Sequence, residues 1–145
     1  MVVEIRDLQA AAADHELLRR AAEMALKVAG GSLDRLSVAL VDDRRIAQIN
    51  QAFRNRPGPT DVIAFEAEPE ADETAGEVIF SVPTAARQAE EAGHDLQREL
   101  CLLLAHGVLH VLGYDDESAA GAAEMRALQE TVLAGLEVPP TAHDR

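Results

Sequence analysis

The sequence predicts an α+β fold: a single domain in which one mixed four-stranded sheet packs with about five helices, one of them central, buried and carrying two histidines. Three observations lead there. The hydrophobic periodicity runs strand, helix, strand, helix, two strands, then three helices. The run from Leu96 to Leu112 is apolar on nearly every side, as in a helix enclosed by other elements. The 145 residues contain no repeat, low-complexity block or linker, so residues 1–145 are expected to form one domain ending in a frayed tail over 136–145.

Each element has a local reason. Val2 to Leu8 alternates apolar and polar residues and reads as a strand. Asp14 suits the cap of a helix with Leu17, Ala21, Met24, Ala25 and Val28 inward, Glu16 and Arg20 as a supporting pair, and Gly30-Gly31 as its stop. His15, in the first turn, is expected to be solvated. Leu36 to Val41 is branched on both faces and suits a central strand. Asp42 and Asp43 can cap a short helix bearing Ile46, Ile49 and Phe53. Pro57, Gly58 and Pro59 punctuate a loop before a third strand, Asp61 to Phe65. Glu66 to Glu73 is acidic without counter-charge and reads as a solvated loop that repels polyanions. Gly76 to Val82 is a fourth strand, and Pro83 suits the first turn of a helix reaching about Gly93. Asp95 caps the central helix. Ser118 starts a last helix with Met125, Leu128 and Val132 at core spacing.

Composition narrows the setting. Hydrophobic residues make up 48% but aromatics only 3%, so the core is expected to be aliphatic. The single cysteine, Cys101, falls in the buried helix and reads as a small core hydrophobe; it has no partner for an internal disulfide, which fits a reducing compartment. With no basic leader and no apolar run of membrane length, a cytoplasmic protein without membrane contact is expected. Thirteen Lys and Arg against 26 Asp and Glu give a net charge of -13, which opposes binding to phosphates. Arg44 to Thr60 is the exception, with Arg44, Arg45, Arg54 and Arg56 and no acidic residue. That run is either a solvated helix face or a local anion-binding surface.

His106 and His110 stand four residues apart, which puts both imidazoles on one helix face within reach of a single ion. Two satisfied core histidines would read the same way, and spacing alone leaves both open. Gly107, between them, costs a helix roughly 1 kcal/mol relative to Ala and implies a close approach to the backbone. Gly113 fits the helix end, and beyond it Tyr114, Asp115 and Asp116 place a carboxylate where the chain could fold back on the histidines. The protease motif with the same histidine spacing has its glutamate base where this chain has Gly107.

The segment from His106 to Asp115, His-Gly-x-Leu-His-x-Leu-Gly-Tyr-Asp, resembles the signature of the YbeY family, bacterial metal-dependent endoribonucleases of ribosomal RNA maturation. Ile49 to Arg54 with Pro59 to Phe65, Gly76 to Ser81, and His94 resemble further parts of the family pattern, and the likeness spans about Leu36 to Leu133. The departures are Ala64 for a usual Ser, Glu66 for a common Pro, and Glu77 for Asp. His94 is expected to serve structure at the entry to the central helix.

The resemblance implies His106 and His110 as metal ligands. The third family ligand is a histidine whose position here is Asp116, with Asp115 as the fallback. Two imidazoles and one carboxylate form a known catalytic set; relative to a third imidazole, Asp would leave the bound water less acidic and hard-oxygen metals less disfavoured. Zinc is the expected ion, other divalent metals being compatible. Arg54 would bind the scissile phosphate, and Tyr114 would pack the site or orient substrate. The implied activity is single-strand-specific endoribonuclease cleavage of precursor ribosomal RNA near the 3′ end of the small-subunit RNA, with a role in ribosome quality control and the ribosome or its proteins as partners. Docking on such a partner would bring an acidic protein to RNA. Two rivals stand beside this reading: another metal hydrolase such as a peptidase, and a non-catalytic assembly factor with a structural ion.

Overall fold

The computed structural model describes residues 1–55, 58, 60–66 and 73–136. These form β1 (Val2–Asp7), α1 (His15–Ala29), β2 (Arg35–Val41), α2 (Asp43–Arg54), β3 (Val62–Glu66), β4 (Ala75–Ser81), α3 (Val82–Ala92), α4 (Leu96–Val111) and α5 (Ala119–Gly135). Among the described residues no helix is long and apolar enough to cross a membrane.

The sheet order is β1-β2-β4-β3. β1 and β4 flank β2 in parallel, with Ile5 and Val78 both opposite Val38, and β3 runs antiparallel to β4 at the edge. This is the mixed sheet the sequence predicts, with β2 inside it. Side chains alternate between its faces. Leu36, Val38, Leu40, Val78 and Phe80 enter the main core with α1, α3, α4 and α5. Val41, Ile63 and Ile79 face the other way and meet Ile46 of α2 in a smaller cluster. The core is aliphatic apart from Phe80, which is fully enclosed.

α4 lies against β4 through two reciprocal contacts. A Cβ on Gly107 would stand 2.6 Å from Cγ1 of Val78, and one on Gly76 would stand 2.5 Å from Cγ1 of Val111. Each glycine leaves room for a valine of the facing element, and the approach expected at Gly107 is that of the sheet. Cys101 is enclosed in the same helix, and burial raises its thiol to about 12, so it packs as a hydrophobe.

α2 is held by its N-terminus. Asp42 caps it, accepting from Arg45 N at 2.8 Å. The Asp43 carboxylate accepts from Ser81 Oγ, from Thr84 Oγ1 at 2.7 Å and from Arg87 Nη2 at 2.9 Å. Burial pushes this carboxyl up, but the bonds from Ser81, Thr84 and Arg87 outweigh it and hold it below its ordinary value.

Several expectations are corrected. The inner face of α1 is wider than expected: Ala21 and Ala25 are buried and Leu17, Met24 and Val28 pack half-buried against the core, but Leu18, Ala22 and Leu26 are buried as well, because the helix packs on both α4 and α5. His15 is not merely solvated: its Nε2 lies 2.8 Å from Oδ2 of Asp7. On α5 the buried set includes Gln129 and Leu133, and Leu128 is half-buried. Leu136, placed in the tail, is enclosed at 4% exposure; the rest of that tail lies outside the described residues. Glu73 has a counter-charge, with Oε1 3.0 Å from Arg35 Nε. Residues 67–72 of the acidic run, and Arg56, lie outside the described residues. Phe53, expected on the inner stripe of α2, is 74% exposed.

Candidate metal centre

The site is built from the C-terminal half of α4 and the chain that returns from it. Asp95 caps α4 by accepting from Arg98 N at 2.8 Å. At the other end Gly113 takes the left-handed φ of 102°, and Tyr114 N bonds back to Leu109 O at 3.0 Å, reversing the chain. The two aspartates after this turn then diverge. Asp115 Oδ1 accepts from Glu117 N at 3.2 Å and stays in the turn. Asp116 faces the histidines, with Oδ2 3.6 Å from His106 Nε2 and Oδ1 3.9 Å from His110 Nε2.

The two imidazoles meet edge to face, their ring centroids 4.5 Å apart and inclined at 75°. Their Nε2 atoms are 3.0 Å apart. His106 Nδ1 lies 3.0 Å from Oε1 of Gln129, which is 8% exposed on α5. An amide oxygen only accepts, so Nδ1 carries the proton and Nε2 presents its lone pair to the cleft. No sequence motif points to Gln129. Its signal is a polar side chain on the stripe of Met125, Val132 and Leu133, all three of which are buried.

These donors fit a divalent cation. One ligand atom each from His106, His110 and Asp116 falls within 4.8 Å of the others. Two imidazole nitrogens and a carboxylate oxygen are a borderline set that suits zinc and accommodates harder ions. The set opens onto a cleft of about 590 Å³ lined also by Arg54, Thr60, Asp61, Val62, Ala64 and Glu117. Among the described residues three donors converge beneath an open face, the form of a catalytic site; a structural zinc site normally closes with four.

Arg54 ends α2, where Asn55 adopts a left-handed φ of 52°. Its guanidinium lines the cleft and has no partner among the described residues. Arg44 and Arg45 stand at the other end of α2, around a separate recess with Asp42 and Gln48. The positive run expected from the sequence is therefore divided, and among its described arginines Arg54 alone lines the cleft. Tyr114 is not part of the lining. His94 Nε2 lies 2.6 Å from Glu99 Oε1, with both side chains nearly enclosed, and this pair pins the entry to α4. Position 107 is a glycine packed against Val78 and carries no side chain, so it offers no base of the kind the peptidase reading needs.

The family model described as Endoribonuclease YbeY matches residues 3–137. The chain is 47% identical over 128 residues to the endoribonuclease YbeY of Moorella thermoacetica, covering 81% of each chain. With that of Pelotomaculum thermopropionicum it shares 41% over 150 aligned positions, covering 95% of this chain and 99% of the other. A solution structure of a Thermotoga maritima protein superposes with a TM-score of 0.61 at 24% identity, covering 94% of this chain and 92% of that one, and shares the fold. With the match spanning nearly every described residue, this chain belongs to the endoribonuclease YbeY family.

Proposed function

We propose that the cleft is the active centre of a metal-dependent endoribonuclease that cuts single-stranded RNA in ribosomal RNA processing. The observation that carries this is the convergence of His106, His110 and Asp116 in one cleft that Arg54 also lines. His106, His110 and Asp116 would hold one divalent ion, with zinc the ion we favour. When bound, it supplies a Lewis acid beside the phosphodiester and lowers the pKa of water there.

The chain's own residues supply the rest. Gln129 keeps the proton of His106 on Nδ1, so that the ring offers Nε2 to the cleft. Asp116 brings negative charge that offsets that of the cation. Arg54 offers two parallel N–H donors to a phosphate and stabilises charge gathering on its oxygens during attack. Its position at the end of a helix anchored by Asp43 fixes the distance from which it reaches. We further propose that the substrate is precursor ribosomal RNA near the 3′ end of the small-subunit RNA. The protein would work in the cytoplasm beside the ribosome, whose proteins would supply the local concentration that a net charge of -13 withholds.

The test is cleavage of a precursor RNA with a single-stranded 3′ extension by the zinc-loaded protein, Arg54→Glu and His110→Ala. The expected result is cutting in the single-stranded region, loss of activity by a factor on the order of 10² or more in both variants, and metal content retained in Arg54→Glu alone. Cleavage that survives in His110→Ala, or none by the unaltered protein, would overturn the proposal.

A further inference from the structure

Phe53 is the most exposed of the large hydrophobic side chains among the described residues, at 74%. A single exposed apolar residue is ordinary on a protein surface. Three facts set this one apart. Its ring is stacked on Phe65, with centroids 6.2 Å apart and planes inclined by 21°. The chain has only three Phe, one Tyr and no Trp, so half of its aromatic side chains are in this pair. Finally, Phe53 directly precedes Arg54 and Phe65 directly follows Ala64, and Arg54 and Ala64 both line the cleft.

The fold gives that adjacency a direction. β3 is an edge strand, and its residues alternate between sheet faces. Ala64 faces the cleft and the main core, while Phe65 packs with the cluster beneath α2. The aromatic pair therefore lies around the edge of the sheet from the metal centre, one strand away. A nucleic-acid strand crossing that edge with a phosphate at Arg54 would bring a neighbouring base against the open face of Phe53.

We propose that Phe53, backed by Phe65, is a stacking platform for an unpaired nucleobase of the RNA strand whose phosphate Arg54 holds. The proposal rests on the endoribonuclease reading and extends it to the way substrate is selected. Any base offers a flat π-face, so the platform tolerates sequence. A duplex keeps its bases stacked on each other, so the platform favours single strands. The charge of the chain makes such a contact useful. At -13 net, long-range attraction to phosphate is absent, and affinity must come from short-range contacts that carry no charge. Backing by Phe65 fixes the Phe53 ring before substrate arrives.

The absence of Trp makes Phe53→Trp the sole tryptophan of the zinc-loaded full chain, a reporter that excitation beyond the tyrosine band reads alone. The probes are a phosphorothioate adenosine decamer, chosen to resist cleavage, and an abasic decamer with the same backbone. Stacking predicts quenching by the first and not by the second. It also predicts about tenfold weaker binding of the adenosine decamer to Phe53→Ala, restored in Phe53→Tyr. Because Phe53 is mostly exposed, these variants are expected to fold normally. Equal binding by Phe53→Ala, or equal quenching by the abasic strand, overturns the platform. So does a Phe53→Ala variant whose only change is in self-association, which would mark a contact between copies. If that variant cuts and binds RNA like the unaltered protein, the platform alone falls. If the unaltered protein neither binds nor cuts RNA, the endoribonuclease reading falls with it.

Discussion

His106 Nδ1 donates to Oε1 of Gln129 across 3.0 Å, joining the helix that carries both cleft imidazoles to the helix that follows it. The bond gives His106 one tautomer and one ring orientation. Gln129→Leu should keep the fold, since the position lies on the apolar stripe of α5, but should leave the ring free to turn and its Nδ1–H unpaired. Affinity for zinc, titrated against a chromophoric chelator, should fall about 10–100-fold. Gln129→Glu, which retains an acceptor, should bind nearly as well as the unaltered protein. Equal affinities across all three proteins would show that the bond has no part in metal binding.

The two aspartates after Gly113 should separate in the same measurement. Asp116 lies within 4 Å of both imidazoles, whereas Asp115 is engaged with Glu117 N. Asp116→Ala should lose most of its zinc on dialysis and Asp115→Ala should retain it. Asp116→His, which installs the ligand type of the family pattern, should also retain it. Zinc kept at full stoichiometry by Asp116→Ala would remove that residue from the ligand set.

Gly107→Ala opposes two effects. Alanine favours the helix by about 1 kcal/mol. Its methyl would stand 2.6 Å from Val78 Cγ1, a clash between a helix and a strand that are both buried. Overpacking of this kind costs about 1–3 kcal/mol, so the net change in urea unfolding should be destabilising. Adding Val78→Ala, which clears the space, should make the two substitutions less than additive.

Asp43 gives a pH dependence with a definite sign. Its folded pKa is held below the ordinary 3.8, so the native state binds this proton less readily than the unfolded chain. The stabilisation is fully present above about pH 4 and is lost as pH falls through the lower folded value. Asp43→Ala should cost about 1–3 kcal/mol at neutral pH through the bonds to Ser81, Thr84 and Arg87. The difference from the unaltered protein should shrink in acid, as followed by urea midpoints between pH 7 and 2. A constant difference would show that the carboxylate's charge is irrelevant to its role.

Local signals carried most of the architecture. Asp14, Asp42, Asp95 and Ser118 are each the cap of a helix, and Gly30 and Gly113 each take the left-handed conformation after one. Such features act over a turn of chain, which is why they can be read in order. His106 and His110 were legible for the same reason, being one turn apart on one helix. The divergence of Asp115 from Asp116 was not, because it depends on which carboxylate the turn itself consumes. Gln129 reaches His106 across 23 residues of sequence through the packing of α5 on α4, a relation no local pattern encodes. Phe53 has the spacing of a core residue, but only one face of its ring meets the sheet, at Phe65, and local spacing does not show how much of a side chain the neighbouring element covers.

The glycine–valine pairs between α4 and β4 have one further effect. They work as a depth gauge. Val78 meets the helix backbone at the residue after His106, so the thickness of one valine sets how far both rings stand above the sheet. Exchanges at position 78 that leave every donor in place would therefore raise or lower the histidines relative to Arg54, which hangs from the opposite face. The height of the two imidazoles in the cleft is thus set in the hydrophobic interior, by a side chain outside the cleft lining.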